Sequence, residues 1–285
     1  MSLNGIARAK ALLVRLDSVF KSEELQIHKI TEVVKDRSDG VSLEVINGQF
    51  YWRNKKQIVA INTKNDKSAI TKESSKKKEK PKKTEPESTG GQDIGFKLID
   101  INFKAKKNEI TFVVGKVGSG KSSLLMALVG EMGFDIDCGT KIVRDGTVSF
   151  ITQKPWVMNS TLKENILMGA PYDEEKFQAA LKFSCLDTDL KTFPKGIENE
   201  TGENGDALSG GQRARLSLAQ ALYQDTDIYI FDDILSALDS YVGSFIMENT
   251  ILGILKNKTV IMTTHALQYL KFGQKIYLME EGRIV

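Results

Sequence analysis

Eight consecutive residues beginning at Gly115 fit the pattern G-x-x-x-x-G-K-[ST], which is typical of a phosphate-binding loop. Glycines let backbone N–H groups converge on phosphate oxygens without a Cβ in the way. Lys121 adds a positive charge for the β- and γ-phosphates of a nucleotide, and the Ser122 hydroxyl can ligate Mg²⁺. A helix predicted to begin near Lys121 directs its positive end at the same point. The candidate ATP-binding residues of this segment are Gly115, Val117, Gly118, Ser119, Gly120, Lys121, Ser122 and Ser123.

A second candidate is an apolar run, Ile228–Phe231, that ends in the carboxylates of Asp232 and Asp233. Central strands of a parallel sheet are apolar on both faces, and α/β sheets bind ligands at the carboxyl ends of such strands. An acidic strand end is a weak signal by itself, but a phosphate loop upstream makes it specific. Asp232 is therefore predicted to hold Mg²⁺ through water.

The third candidate is the run Leu208-Ser209-Gly210-Gly211-Gln212 before a predicted helix, Gln212–Tyr223. A serine hydroxyl and two glycine amides at a helix start can form a second anion-binding site. The alternative is that Ser209 is an ordinary N-cap of this helix.

The elements that must position these residues alternate between strands and helices, with a helical block inserted between them. The segment Val41–Trp52 is predicted to form two short strands joined in a hairpin at Asn47-Gly48, and Met279–Val285 is predicted to form a closing hairpin through Gly282. The other predicted strands are Lys97–Phe103, Glu109–Val114, Thr147–Ile151, Asp227–Phe231 and Thr259–Thr263, and the other predicted helices are Lys121–Glu131, Leu162–Leu167, Asp173–Phe183 and 240–255.

The amino-acid composition excludes several classes of protein. The 285 residues are 41% hydrophobic and 27% charged, which excludes a wholly disordered, a collagen-like or a disulfide-stapled chain. The two cysteines have no metal-binding or redox spacing, and no apolar run approaches 18 residues. The net charge of +3 does not indicate a nucleic-acid-binding protein.

Positive charge is concentrated in one segment, Arg53–Glu87. Residues 53–91 are rich in lysine and serine and are predicted to be a disordered basic insertion, either a spacer or a regulatory segment. Near the N-terminus, Ile6–Phe20 is predicted to be a helix whose apolar face must dock on other structure.

The order of these motifs, followed by His265, resembles the nucleotide-binding domains of ATP-binding-cassette (ABC) proteins over about residues 41–285, the insertion excepted. The resemblance implies an α/β fold with a P-loop NTPase (RecA-like) core, an antiparallel β subdomain and an inserted α-helical signature subdomain at 154–223. It also implies ATP and Mg²⁺ as cofactors.

The resemblance assigns further roles by position. Gln153 matches the glutamine that touches Mg²⁺ and senses the transmembrane partner, and His265 matches the histidine at the γ-phosphate. Trp52 matches the aromatic residue that stacks on adenine, although Phe50 and Tyr51 adjoin it. Ser236–Asp239 matches the D-loop. The signature residues, implied to contact the ATP of a second domain in trans, are Ser209, Gly210, Gly211 and Gln212.

Three segments, Pro155–Asn159, Leu162–Ile166 and Phe231–Asp233, resemble the first nucleotide-binding domain of the C subfamily, which includes multidrug-resistance-associated exporters and the cystic fibrosis chloride channel. This implies that residues 1–40 are a linker from a preceding transmembrane bundle. It also implies that the domain at 41–285 lies on the cytoplasmic side of a membrane. Its partners would be the transmembrane domains and a second nucleotide-binding domain, and the isolated domain would be monomeric.

One position departs from the family pattern. Most ABC ATPases have glutamate as general base after the magnesium-binding aspartate, whereas this chain has the shorter Asp233. A displaced base can cost about a hundredfold in rate, so ABC-type ATP hydrolysis is expected to be slow here. With Gln153 and His265, Asp233 completes the candidate catalytic set.

The leading hypothesis is an ATP-binding domain that drives export, and the alternative is a regulatory ATP sensor that gates a channel without turnover.

Two other classes are rejected. DNA-repair and chromosome-maintenance ATPases share the signature, but too few residues separate Lys121 from Ser209 to hold their long coiled coil. A phosphate-loop kinase is rejected because it would lack Leu208–Gln212.

Overall fold

The structure is a computed structural model that describes residues 31–35, 37–52, 97–134 and 137–285. The predicted helix Ile6–Phe20 and the predicted insertion at 53–91 lie outside the described residues, as does most of the predicted linker at 1–40.

The described strands form two sheets. In chain order the strands are β1 (Thr31–Val33), β2 (Val41–Tyr51), β3 (Lys97–Lys106), β4 (Ile110–Gly115), β5 (Gly133–Phe134), β6 (Lys141–Arg144), β7 (Val148–Ile151), β8 (Ile228–Asp232), β9 (Thr259–Thr263), β10 (Lys275–Glu280) and β11 (Arg283–Ile284). The first sheet has the order β1-β6-β2-β3, with β5 also paired to β2, and every pairing of β2 is antiparallel. The second has the order β11-β10-β4-β9-β8-β7, and its strands are parallel except for the β10–β11 hairpin.

The helices are α1 (Lys121–Val129), α2 (Leu162–Leu167), α3 (Glu174–Phe183), α4 (Leu186–Leu190), α5 (Gly210–Gln224) and α6 (Ser240–Phe245). A π-helix, Ile246–Ile254, continues α6. Three 3₁₀ turns lie at Gly196–Glu198, Glu203–Gly205 and Leu267–Phe272. None of the helices in the described ranges has the length and apolar character needed to cross a bilayer.

Strand β8 shows why the parallel sheet forms. All five of its residues are buried, as expected for a strand that is covered on both faces. Ile228 and Ile230 belong to a core shared with α1 and the first sheet. Tyr229 and Phe231 belong to a second core, on the other face, with the π-helix. The predicted α/β architecture with an antiparallel β subdomain is confirmed.

The inserted helical block has a core of its own. Val157, Leu162, Phe177 and Tyr223 are among the residues of a third apolar cluster, in which α5 packs on α2 and α3. Polar side chains fix the helix starts, as at α2, where Thr161 and Glu164 form a capping box. The predicted helical signature subdomain is therefore present.

The predicted hairpin at Asn47-Gly48 is wrong. β2 runs unbroken from Val41 to Tyr51, and Asn47 forms a bulge, with φ 51° and its N–H donated to Asn102 Oδ1 at 3.1 Å. The bulge shifts the register with β3 by one residue, from Val45 opposite Phe103 to Gly48 opposite Ile101. Asn-Gly supplies the positive φ that a turn or a bulge needs, and here the strand continues because β3 pairs with β2 on both sides of the bulge, as far as Tyr51 opposite Lys97.

The predicted closing hairpin is confirmed, with Met279 opposite Ile284 across β10 and β11. Its turn residue Gly282 has φ 78°. The Gly282 N–H donates to the Ser119 carbonyl at 2.9 Å, and its carbonyl accepts from the Ile99 N–H at 2.9 Å. The hairpin thus ties the glycine-rich loop to β3.

Candidate functional site

The glycine-rich loop leaves β4 at Gly115 and enters α1 at Lys121, as the sequence predicts. Gly115 has φ 153°, and a Cβ there would overlap the Met279 carbonyl oxygen and lie 2.7 Å from Ser119 Oγ. Gly120 caps α1 with φ 107° and provides no side-chain acceptor for the first helical N–H groups. The loop therefore presents backbone to whatever approaches the start of α1.

Lys121 folds back over this loop. Its Nζ donates to the carbonyl oxygens of Gly115, at 2.9 Å, and Lys116, at 3.0 Å. Burial lowers the pKa of Lys121, while the charges of Asp232 and Asp233 act in the opposite direction. Ser119 Oγ is buried and has no hydrogen-bond partner in the described part of the chain. The loop thus holds a buried positive charge with which a phosphate oxygen can pair.

Two buried carboxylates stand at the end of β8. Asp232 Oδ1 accepts a hydrogen bond from Thr263 Oγ1 at 2.7 Å. Asp233 has φ 51°, and its carbonyl accepts from the hydroxyl of Ser236 at 2.8 Å, which ties the acidic pair to the predicted D-loop. Aspartate tolerates this left-handed conformation better than most residues. The sequence did not single out Thr263, although a threonine at the end of a neighbouring buried strand is the available signal.

One cleft of about 400 Å³ brings most of the predicted residues together at the carboxyl ends of the parallel strands. It is lined by Val117, Gly118, Gly120, Lys121, Ser122, Ser123, Gln153, Asp232, Asp233, Thr263 and His265. Gly115 is absent from this lining, and Ser119 lines a smaller cavity of about 300 Å³ on the other side of the loop. Gln153 and His265 are exposed, whereas the lysine and both aspartates are buried.

Trp52 lies beside this cleft. Its indole Nε1 donates to Ser123 Oγ at 3.0 Å, and 46% of the residue is exposed. Phe50 is buried in the core between the sheets, and the Tyr51 hydroxyl donates to the Phe134 carbonyl at 2.7 Å. Of the three adjoining aromatic residues, Trp52 is thus the one with an exposed ring next to the loop.

The signature residues lie outside the cleft. Ser209 is the N-cap of α5 in a capping box, in which its hydroxyl accepts from the Gln212 N–H at 3.2 Å and Gln212 Oε1 accepts from the Ser209 N–H at 2.9 Å. A Cβ at Gly210 would meet nothing within 4 Å, whereas one at Gly211 would lie 3.3 Å from the Ala237 carbonyl. Ser209 is therefore an N-cap, as the alternative interpretation predicted. Ser209 and Gly210 are also exposed, so this role leaves them accessible to a ligand.

An ion pair beneath the signature was not predicted. Arg215 donates from Nε and Nη2 to the two carboxylate oxygens of Asp189, at 2.6 and 2.8 Å. Gln212 Nε2 also reaches Asp189, at 3.3 Å. The only sequence signal is that Arg215 follows Gln212 by three positions, on the same face of the helix. Its acidic partner lies on α4, at a distance in sequence that no local pattern reveals.

Comparison with known proteins agrees with this geometry. Residues 98–236 match the family model described as ABC transporter. The chain is similar to ABC transporter C family member 3 of Dictyostelium discoideum, with 46% identity over 66% of the chain and 13% of the relative. It is similar to multidrug resistance protein mrp-7 of Caenorhabditis elegans, with 45% identity over 70% of the chain and 13% of the relative.

A third relative extends the match to nearly all of the sequence. Bile pigment transporter 1 of Saccharomyces cerevisiae is 36% identical over 99% of the chain and 18% of its own length. The chain thus spans less than a fifth of each of these curated relatives. With the phosphate loop, the acidic strand end and the signature in their family order, the chain belongs to the ABC transporter family and carries the ATP-binding domain of its C-family, multidrug-resistance-type members.

Proposed function

We propose that this domain binds MgATP in the cleft beside the glycine-rich loop. The observation that carries the proposal is that the Lys121 ammonium and the carboxylates of Asp232 and Asp233 line one cleft. The residues fit the ligand, because Gly115 leaves no room for a side chain and the Lys121 ammonium donates to two loop carbonyls without an ion pair to a described carboxylate, so a phosphate would supply its anionic partner. The loop amides and Lys121 would hold the phosphates, and the exposed ring of Trp52 would stack on adenine.

Ser122, Gln153 and Asp232 are proposed to hold Mg²⁺, with Asp232 acting through water. All three offer oxygen atoms to the cleft, which suits a hard cation that keeps part of its water shell. Bound Mg²⁺ would neutralise charge on the phosphates. His265, which lines the same cleft, is proposed to contact the γ-phosphate.

Hydrolysis at this site is proposed to be slow. Asp233 is the acid available as general base, and its side chain is one methylene shorter than that of the glutamate usual in the family. Thr263 orients its neighbour Asp232, and the described residues donate no comparable side-chain hydrogen bond to the Asp233 carboxylate. The domain is therefore an ABC-type ATPase whose binding function exceeds its turnover.

The signature is proposed to act on ATP held by a second nucleotide-binding domain, because Ser209 and Gly210 are exposed and absent from the cleft lining. The isolated chain would then be monomeric, and its physiological partners would be that second domain and the transmembrane domains. The relatives bear transporter names, including the vacuolar heme exporter abc3 of Schizosaccharomyces pombe. We propose a role in driving export, with this first nucleotide-binding domain on the cytoplasmic side of the membrane.

Calorimetric titration of MgATP tests the binding site. Lys121→Ala should weaken binding about tenfold or more, because it removes a charged donor from the phosphates. Lys163→Ala is the matched control and should leave binding unchanged, since Lys163 pairs with Glu198, lies over the Tyr172 ring and does not line the cleft. Equal affinity in both variants would refute the assignment of the cleft.

Turnover measured against protein concentration tests the signature assignment. The isolated chain should hydrolyse ATP negligibly when dilute. Rapid hydrolysis that does not depend on concentration would show that the signature is not needed in trans.

A further inference from the structure

A second cavity, of about 570 Å³, lies at the opposite edge of the parallel sheet from the nucleotide cleft. Its lining includes Thr147, Asp227 and Thr259, where β7, β8 and β9 begin, whereas the cleft lies where these strands end. The cavity is larger than the cleft, and its volume is within the range of small-molecule sites. No role proposed above uses it.

Four cationic side chains line this cavity: Lys35, Lys107, Arg144 and Lys258. Two carboxylates, Asp145 and Asp227, also line it, so the cations are in excess. A concave surface with excess positive charge concentrates anions.

Both carboxylates are already bound by donors. Asp227 Oδ2 accepts from the N–H and the hydroxyl of Thr147, both at 2.8 Å. Asp145 accepts the Arg37 N–H at 2.8 Å and pairs with Lys107 at 2.7 Å. Asp145 therefore neutralises Lys107. Asp227 keeps its negative charge, because the hydrogen bonds from Thr147 and the charge of Lys258 lower its pKa, so it partly offsets Lys258, and Arg144 and Lys35 carry the remaining excess of positive charge.

Arg144 differs from these two carboxylates because its side chain lacks a partner within the described ranges of the chain. Its Nε is buried and has no hydrogen-bond partner among the described residues, and its side chain forms no ion pair with them. A buried donor without an acceptor is costly and rare in native proteins. The guanidinium fork matches phosphate geometry better than a lysine ammonium does. Lys258 adds positive charge to the cavity. Among the described residues its side chain forms an ion pair with Asp225, which is weak because the Asp225 side chain is 59% exposed.

We propose that this cavity is a second ligand site, which binds a small anion with two linked phosphate groups. Arg144 would hold one phosphate as a two-pronged donor, and Lys258 and Lys35 would supply charge for the other. Occupancy would give the guanidinium of Arg144 the anionic partner that the described residues do not supply. The site is separate from the nucleotide cleft and does not depend on the function proposed for it.

Inorganic pyrophosphate is the probe. We would titrate it by calorimetry, in phosphate-free buffer, into the 285-residue chain carrying Lys121→Ala, which weakens the nucleotide cleft. Pyrophosphate should bind, and adding Arg144→Ala should weaken that binding about tenfold or more. The matched control is Arg283→Ala, an exposed arginine outside the cavity, which should leave binding unchanged. No binding, or equal binding in the Arg144 and Arg283 variants, would overturn the proposal.

Further variants and a second anion separate loss of binding from loss of folding and from a simple charge effect. Arg144→Lys keeps the charge but loses the fork and should bind with intermediate affinity, while thermal melting reports whether each variant folds. If Arg144→Ala does not fold, Lys258→Ala takes its place, with weaker binding expected. Citrate, a tricarboxylate whose charge at neutral pH is similar to that of pyrophosphate, should bind at least tenfold more weakly than pyrophosphate. Equal binding of the two would contradict the phosphate assignment.

Discussion

Asp189 holds the helix that follows the signature by both of its carboxylate oxygens, each of which accepts a hydrogen bond from the guanidinium of Arg215. Each side chain is only 12% exposed. Breaking such a buried pair leaves an uncompensated charge, so Asp189→Ala should lower the free energy of unfolding by about 3 kcal/mol. Urea denaturation measures this value.

The matched control for this pair is Glu198→Ala. Glu198 pairs with Lys163 at 3.7 Å and is 58% exposed, so its loss should cost less than about 0.5 kcal/mol. Similar costs for the two variants would mean that the Asp189–Arg215 pair does not anchor the signature helix.

Ser209→Ala separates the two roles of the signature serine. It removes the N-cap acceptor for the Gln212 N–H, so the free energy of unfolding should fall by about 1 kcal/mol. MgATP affinity of the isolated chain should not change, because Ser209 does not line the cleft. A loss of affinity as large as that of Lys121→Ala would place the signature on the nucleotide of its own chain.

Trp52 gives an optical test. The chain has two tryptophans, so Trp156→Phe leaves Trp52 as the only indole. MgATP should quench the fluorescence of this variant, and Trp52→Ala should weaken MgATP binding about five- to a hundredfold, which is the range of base–aromatic stacking. Trp52→Phe should retain most of the affinity. Unchanged fluorescence in Trp156→Phe at saturating MgATP would exclude stacking on Trp52.

The burial of Lys121 should make both the stability of the domain and its binding of MgATP change with pH in the alkaline range. Burial lowers the pKa of Lys121 below its ordinary value of 10.5, so the unfolded chain binds this proton more tightly than the folded chain does. The contribution of this group to the free energy of unfolding therefore rises as pH increases toward 10.5.

Bound phosphates favour the charged form of Lys121, so MgATP binding at alkaline pH should take up protons. Calorimetry in two buffers of different ionisation enthalpy measures this uptake. The control is Lys121→Arg, whose guanidinium stays charged throughout. Proton uptake that persists in Lys121→Arg would come from a different group.

The sequence predicted the elements best where burial on both faces or a cap leaves little choice. β8 and β9 are fully buried apolar runs, and α2 and α5 begin at capping boxes that can be read from local residue types. It failed at Asn47-Gly48, because the same dipeptide suits a turn and a bulge and the outcome depends on pairing with β3, about fifty residues away.

Local patterns also explain which parts of the site could be predicted. The loop and Asp232 sit in contiguous motifs, whereas Gln153, His265 and Trp52 were assigned only by resemblance to a family. Asp189, Thr263 and Arg144 were missed, since their importance arises from partners, or from the lack of one, that only the folded chain reveals.

The hydrogen bond from the Gly282 N–H to the Ser119 carbonyl affects the point in synthesis at which the phosphate loop can be held in its folded position. β4, which carries the phosphate loop, pairs only with β9 and β10 among the described strands, and both are translated after the whole helical block. A ribosome therefore produces the loop long before the strands and the turn that hold it, and non-local pairing of this kind is slow. While residues 259–282 are still unmade, the edges of β4 remain unpaired and open to aggregation. We expect nascent chains arrested within α5 to need chaperone protection that MgATP cannot replace.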